Sequence, residues 1–285
     1  MFLLIGYVVI LAASVGTYSV HGSLAALFVP LEYLAIVGLM TGGFIASNGS
    51  KAIKATLAAL PSVLKGSHFS KALYMDLLAM LYEILSKVRK EGLMSIESDI
   101  ENPEGSAIFA KYPTIAHDHH VMEFITDYLR MMVGGNLNAF EIENLMDLEI
   151  ETHHQEAHMP VHIMSKVADG VPAFGIVVAV MGVVNVMGSV GEPPAVLGKM
   201  IGGALVGTFL GILASYGFVA PIASQLEQKM EEGSKIFSCI KVVLLASMNG
   251  YAPQVAVEFG RKVLFSSDRP SFRELEEDLK SRKGK

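Results

Sequence analysis

A single cysteine, Cys239, among 285 residues excludes an internal disulfide framework. It lies in an amphipathic stretch and is expected to act as a small packed apolar residue. Charge is also scarce. Asp, Glu, Lys and Arg make up 18% of the chain, where a soluble protein usually carries about 25%. The net charge of −6 argues against nucleic acid as a partner. There is no G-x-G-x-x-G, no Walker lysine motif and no C-x-x-C, so no enzymatic site and no cofactor is expected. No segment alternates like a strand for any length, and no internal repeat or low-complexity tract is visible.

Two stretches lack every Asp, Glu, Lys, Arg and His: 171–191, with Pro172 near its start, and 200–226, with Pro221 near its end. Each exceeds the ~20 helical residues that cross a bilayer core of ~30 Å. With 52% hydrophobic residues and a mean hydropathy of +0.46, the apolarity is concentrated rather than spread. Residues 1–20 are apolar with no Lys or Arg ahead of them, so they read as a retained span rather than a cleaved signal. A further span runs from about Leu31 to Ser47 and carries Gly38 and Gly42.

Of the 22 Lys and Arg residues, all except Lys199 fall in 51–170 or after 226. The positive-inside rule makes that side the cytoplasm, with both termini cytoplasmic and residues 20–30 and 190–199 facing outward. The expected organisation is all-α. It comprises spans one and two (1–50), a cytoplasmic helical region (51–170), spans three and four (171–226) and a cytoplasmic helical tail (227–285).

Within 69–91, Leu73, Leu77, Met80, Leu81, Ile84, Leu85 and Val88 form one apolar stripe, and Gly92 is a natural stop. Ser95 can cap the next helix, with Pro103 at its end. Residues 121–133 form another amphipathic helix, stopped by Gly134 and Gly135. Asn138 and Glu141 have capping-box spacing and open a long helix that Pro160 is expected to bend. Ser271 and Glu274 form a second capping box before a charged final helix.

Candidate functional residues each have a plain structural account beside them. Pro172 suits the first turn of a helix, and Pro221 should kink a continuing helix. Gly203, Gly207 and Gly211, with Gly175, Ala179 and Gly182, suit either packing within the chain or approach to a partner helix. Thr208 and Ser215 are expected to return their hydroxyls to their own helix, while Asn185 should face protein or water. Arg89 and Glu97 bracket Gly92; they complement helix dipoles or present opposite charges to a partner. The His117, His119 and His120 cluster and the His154 and His158 pair are adequately explained as solvated faces, since Gln155 stands where a zincin needs Glu.

Six extended passages resemble the MotA family of flagellar motor stator subunits, in the MotA/TolQ/ExbB proton-channel superfamily. They are KALYMDLLAMLYEILSKVRKEG (71–92), SIESDIENP (95–103), FEIENLMDLEIETH (140–153), DGVPAFGIVVAVMGVV (169–184), VGTFLGILASYGF (206–218) and NGYAPQVAVEFGRK with SSDRPSF (249–262 and 266–272). The resemblance implies an inner-membrane, ion-driven channel that turns the flagellar rotor. It also implies a ring of five copies around two of a single-span partner, MotB, whose membrane aspartate carries the ion. Pro172 and Pro221 then fall on the coupling prolines, and Arg89 and Glu97 on the charges that engage the rotor protein FliG.

Sodium-type relatives carry a threonine seven residues after the third-span proline, where this chain has Ala179. They also carry a threonine pair where this chain has Gly207-Thr208. A bare Na⁺ needs several oxygen ligands and a carboxylate accepting a proton needs fewer, so protons are favoured over sodium. Ser215 and Asn185 remain as oxygen donors. A sodium-driven stator, an ExbB/TolQ-type energiser, a solute transporter and a passive membrane scaffold are the rival readings.

Overall fold

The computed structural model describes residues 2–66, 69–135 and 138–282. Met1, included in the first expected span, lies outside them. Among the described residues every regular element is helical, as expected. The elements are α1 (Phe2–His21), α2 (Leu24–Leu27), α3 (Pro30–Ser47), α4 (Ser50–Ala59), α5 (Lys71–Glu91), α6 (Glu97–Glu101), α7 (Pro113–Ala116), α8 (His119–Gly134), α9 (Ala139–Met187), α10 (Pro194–Ile212), α11 (Ala220–Met248), α12 (Pro253–Val263) and α13 (Phe272–Arg282). Short 3₁₀ turns join several of them, and a π-helical segment, Leu213–Val219, joins α10 to α11. Among the described residues, four stretches are long and apolar enough to cross a membrane: Phe2–Val20, Leu24–Ser47, and the apolar parts of Ala139–Met187 and Pro194–Met248.

The chain divides into two compact units, residues 1–66 with 157–228 and residues 67–156 with 229–285. The first holds the acid-free stretches. Its buried residues include Ile36, Val171, Val178, Val206 and Leu210. The many exposed large apolar side chains on α1, α3, α9 and α10, such as Val8, Leu34, Val180 and Leu205, suit helices solvated by lipid.

The second unit is built around α5. The expected stripe is buried except for half-buried Val88, and Tyr74, Leu78 and Ala79 are buried as well. A single stripe understates a helix packed on several faces, because interior position is set by neighbours rather than by the helix's own period. Phe124, Ile125, Tyr128 and Leu129 of α8 join this core, as do Cys239, Ile240, Val243 and Leu244 of α11 and Ala256 and Val257 of α12. Cys239 is fully buried in that apolar packing. A Cβ on Gly260 would stand 2.4 Å from Val243 Cγ2 and 3.0 Å from Cys239 Sγ, so α12 approaches α11 only through a glycine.

Two of the expected caps form as read. Asn138 Oδ1 accepts from the amides of Phe140 and Glu141, while Glu141 Oε2 accepts from the Asn138 amide. Ser271 and Glu274 repeat the pattern at α13. Ser95 does not cap a helix. Its hydroxyl donates to the Gly92 carbonyl at 2.6 Å inside a 3₁₀ turn, Leu93–Ile96, and α6 opens only at Glu97. Pro103 begins a 3₁₀ turn, which follows the end of α6 at Glu101. Gly135 ends α8 in the left-handed conformation at φ 65°.

Candidate functional site: the proline breaks and the hairpin tip

Pro172 is not in a first turn. It sits deep inside α9, which runs unbroken from Ala139 to Met187 and also contains Pro160. The end of charged residues at Asp169 imitates a helix start in sequence. A helix entering lipid nevertheless has every reason to continue, since its backbone groups find no water there. An interior proline lacks the amide that would bond to the carbonyl four residues back. For Pro172 that carbonyl belongs to Ala168.

The freed oxygen has found another donor. Ser215 Oγ donates to the Ala168 carbonyl at 2.6 Å, and Ser215 is only 1% exposed. The expectation that this hydroxyl returns to its own helix is therefore corrected: it crosses to α9. Ser215 lies in the π-helical segment, and the Ala220 amide bonds back to the Ser215 carbonyl, five residues earlier. The wider coil has a local cause. Pro221, the second residue of α11, lacks an amide and its ring would press on the Gly217 carbonyl in regular α geometry. The same segment receives the Tyr7 hydroxyl on the Phe218 carbonyl at 2.8 Å, with the two rings 4.9 Å apart.

Alongside these breaks α9 and α10 meet through bare backbone. A Cβ on Gly175 would lie 2.7 Å from the Gly207 carbonyl oxygen and 2.8 Å from Gly211 Cα, and one on Gly182 would lie 2.6 Å from Ala204 Cβ. The Gly207 and Gly211 stripe thus packs within the chain. Gly203 approaches Val29 more loosely, at 3.8 Å. Ala179 is buried, and its amide nitrogen stands 3.1 Å from the position of a Cβ on Gly207. Thr208, the next residue, is half-buried, as are Pro172 and Pro221, and Asn185 is exposed. The structure therefore brings Ala179 beside Gly207-Thr208, and ties the Pro172 break to the segment ahead of Pro221.

Sequence reasoning missed the Ser215 bond and one acid, Glu32. Glu32 lies in the first turn of α3, where a carboxylate favours the positive helix end, and its Oε2 is buried without a hydrogen-bond partner. An acid two residues into an apolar run was the available signal.

In the second unit, Arg89 lies in the last turn of α5 and Glu97 opens α6. Between them Gly92 holds φ 88° and ψ 165°, a region only glycine enters freely. Both charges are exposed, and neither forms an ion pair among the described residues. Two residues outside them, Lys87 Nζ meets Asp99 Oδ2 at 2.8 Å. Ser106, itself buried, donates to Asp99 Oδ1 at 2.6 Å and accepts from the amides of Ile108 and Phe109. Burial alone would raise the Asp99 pKa. The Lys87 and Ser106 hydrogen bonds and the Lys87 charge outweigh it and hold the carboxyl below its ordinary value.

Among the described residues no group of three or more His, Cys, Asp or Glu side chains is arranged to hold a metal. His117, His119 and His120 are exposed. His120 stacks edge-on with His153 at 5.9 Å, and His154 Nδ1 lies 3.1 Å from Ser234 Oγ.

Comparison with known proteins agrees with these features. Residues 4–92 match the family described as Motility protein A N-terminal, and residues 116–238 match the MotA/TolQ/ExbB proton channel family. The chain is 54% identical to Motility protein A of Escherichia coli (strain K12) over 282 residues, covering 99% of this chain and 96% of the relative. Identity to Motility protein A of Salmonella typhimurium is 51% over the same length, with the same coverage. The solved flagellar MotAB stator complex from Bacillus subtilis is similar with a TM-score of 0.74 and 25% identity, over 96% of this chain and 97% of that one. The chain belongs to the Motility protein A family, membrane-spanning members of the MotA/TolQ/ExbB proton channels and not enzymes.

Proposed function

We propose that this protein is a stator subunit of the bacterial flagellar motor, sited in the inner membrane with both termini cytoplasmic. With MotB it forms a proton channel whose flux turns the rotor through contacts with FliG. The observation that carries the reading is the pairing of α9 and α10: two glycine-packed membrane helices, one with Pro172 inside it and the other leading into the π-helical segment ahead of Pro221, with no Asp, Glu, Lys, Arg or His in 171–191 or 200–226. Such a pair is a channel wall without a carrier, so the titrating carboxylate comes from a partner chain. Glu32 lies outside both runs, in the first turn of α3.

Protonation of the MotB aspartate beside the Pro172 and Thr208 face changes which subunit of a five-membered ring binds it best. The ring then steps around two MotB chains. One elementary charge crossing 100 mV supplies about 2.3 kcal/mol, so each step surmounts only a modest interface barrier. Arg89 and Glu97, exposed and without an ion pair among the described residues, are the charges that meet FliG.

Proton rather than sodium coupling is supported by the lining. Ala179 offers no side-chain oxygen, and the Ser215 hydroxyl is buried and committed to Ala168. Reversing both charges, Arg89→Glu with Glu97→Arg, tests the rotor contact. Swimming should fall several-fold at unchanged membrane level. Unchanged swimming favours an ExbB/TolQ-type energiser, a transporter or a scaffold.

A further inference from the structure

The geometry points to Ser215 as a positioning residue of the coupling machinery. Its hydroxyl stands in for the amide that Pro172 lacks, and so latches the broken turn of α9 onto the π-helical segment ahead of Pro221. Three observations converge. Pro172 lies inside a continuous helix, so the Ala168 carbonyl has lost its regular donor. The donor it has found is a side chain 47 residues away, at 2.6 Å, in a site with almost no solvent exposure. That side chain belongs to the one π-helical stretch among the described residues, and this stretch ends two residues before Pro221.

A buried carbonyl without a donor is costly, and a membrane interior offers no water to repair it. The hydroxyl therefore does more than fill space. It makes the two proline sites mutually dependent, since opening the π turn frees the Ala168 oxygen and moving the Ala168 turn of α9 takes the acceptor away from Ser215. Breaks that share one hydrogen bond move together, and that is the property a hinge pair requires if a change at one helix is to reach the other.

The latch is independent of the stator reading; only its service in torque rests on that reading, and the two are tested separately. The first test is a double-mutant cycle on the full-length protein in detergent, with Ser215→Ala, Pro172→Ala and the pair, read as the thermal unfolding midpoint. The Pro172→Ala substitution restores an amide in register with the Ala168 carbonyl. The fall in midpoint caused by Ser215→Ala should then shrink by at least half in the Pro172→Ala background. Equal falls in both backgrounds overturn the latch, because a purely packed hydroxyl acts additively. If Ser215→Ala does not accumulate, recovery on adding Pro172→Ala supports the latch and failure to recover overturns it. The second test uses flagellated cells from which the chromosomal copy of this gene has been removed. Ser215→Ala at wild-type membrane level should at least halve swimming speed, and undiminished speed overturns the coupling role. Cells that swim without the chain at all contradict the stator reading instead.

Discussion

Lys87 Nζ lies 2.8 Å from Asp99 Oδ2, and this ion pair brackets Arg89 and Glu97 symmetrically, two residues outside each. The inner pair of charges is exposed while the outer pair is largely buried, with side-chain exposures of 29% for Lys87 and 12% for Asp99. The same four-charge pattern thus divides: Lys87 and Asp99 close the hairpin, and Arg89 and Glu97 stay exposed at its tip.

Asp99→Ala should destabilise the protein by about 2–3 kcal/mol, because it strands a largely buried ammonium and a buried hydroxyl at once. Thermal unfolding of the full-length protein in detergent measures the loss. A change below about 0.5 kcal/mol, the range of ordinary surface substitutions, contradicts a structural role for the pair.

The same carboxylate fixes a pH dependence. The Asp99 pKa is lower folded than unfolded, so its contribution is fully present above the unfolded value of about 3.9. It is lost as pH falls through the depressed folded value. Between pH 7 and pH 5 the wild type and Asp99→Asn should therefore differ by a constant margin, and that margin should shrink as pH falls below about 4. Unfolding midpoints across this range check the sign; a margin that widens on acidification contradicts it.

Gly92→Ala should strain the tip by about 1–3 kcal/mol, since its backbone angles are essentially reserved for glycine. A Cβ there meets nothing within 4 Å, so the effect is conformational rather than steric. Swimming speed should drop together with stability if the tip geometry sets where Arg89 and Glu97 stand. A stable variant with normal motility would separate the two.

Gly211→Ala should force α9 and α10 apart, because its Cβ would lie 2.7 Å from Gly175 Cα. Backbone cannot yield as a side-chain tip can, so loss of motility with reduced membrane accumulation is expected. Gly202→Ala is the control, with nothing within 4 Å of its Cβ. Equal behaviour of the two variants contradicts the close approach.

Much of this was legible in the chain because the signals were local. The stripe on α5, the Gly135 stop and the capping boxes at Asn138 and Ser271 depend on residues within a turn or two of one another. The acid-free runs declared two of the four spans by length alone. What escaped was what distance in sequence hides. Pro172 reads as helix punctuation because Asp169 precedes it and polarity stops there, yet hydrogen bonding carries the helix straight through. Ser215 reads as a hydroxyl returning to its own helix, because nothing in its neighbourhood reveals that a carbonyl 47 residues earlier lacks a donor. Ser95 has the right residue type for a cap, but the 3₁₀ turn after Gly92 shifts the helix start past it. The glycine stripe was visible, and only the structure assigns its face to packing within the chain.

Rotation of single flagellar motors in cells lacking their own copy of this gene, as expression of the chain is induced from zero, tests the central claim most directly. The account predicts flagellated cells whose motors are still without the chain, begin to turn as it accumulates, and stop on addition of a protonophore in sodium-free medium. Motors that turn at full speed before induction contradict the stator assignment, and motors that turn only when sodium is supplied contradict proton coupling.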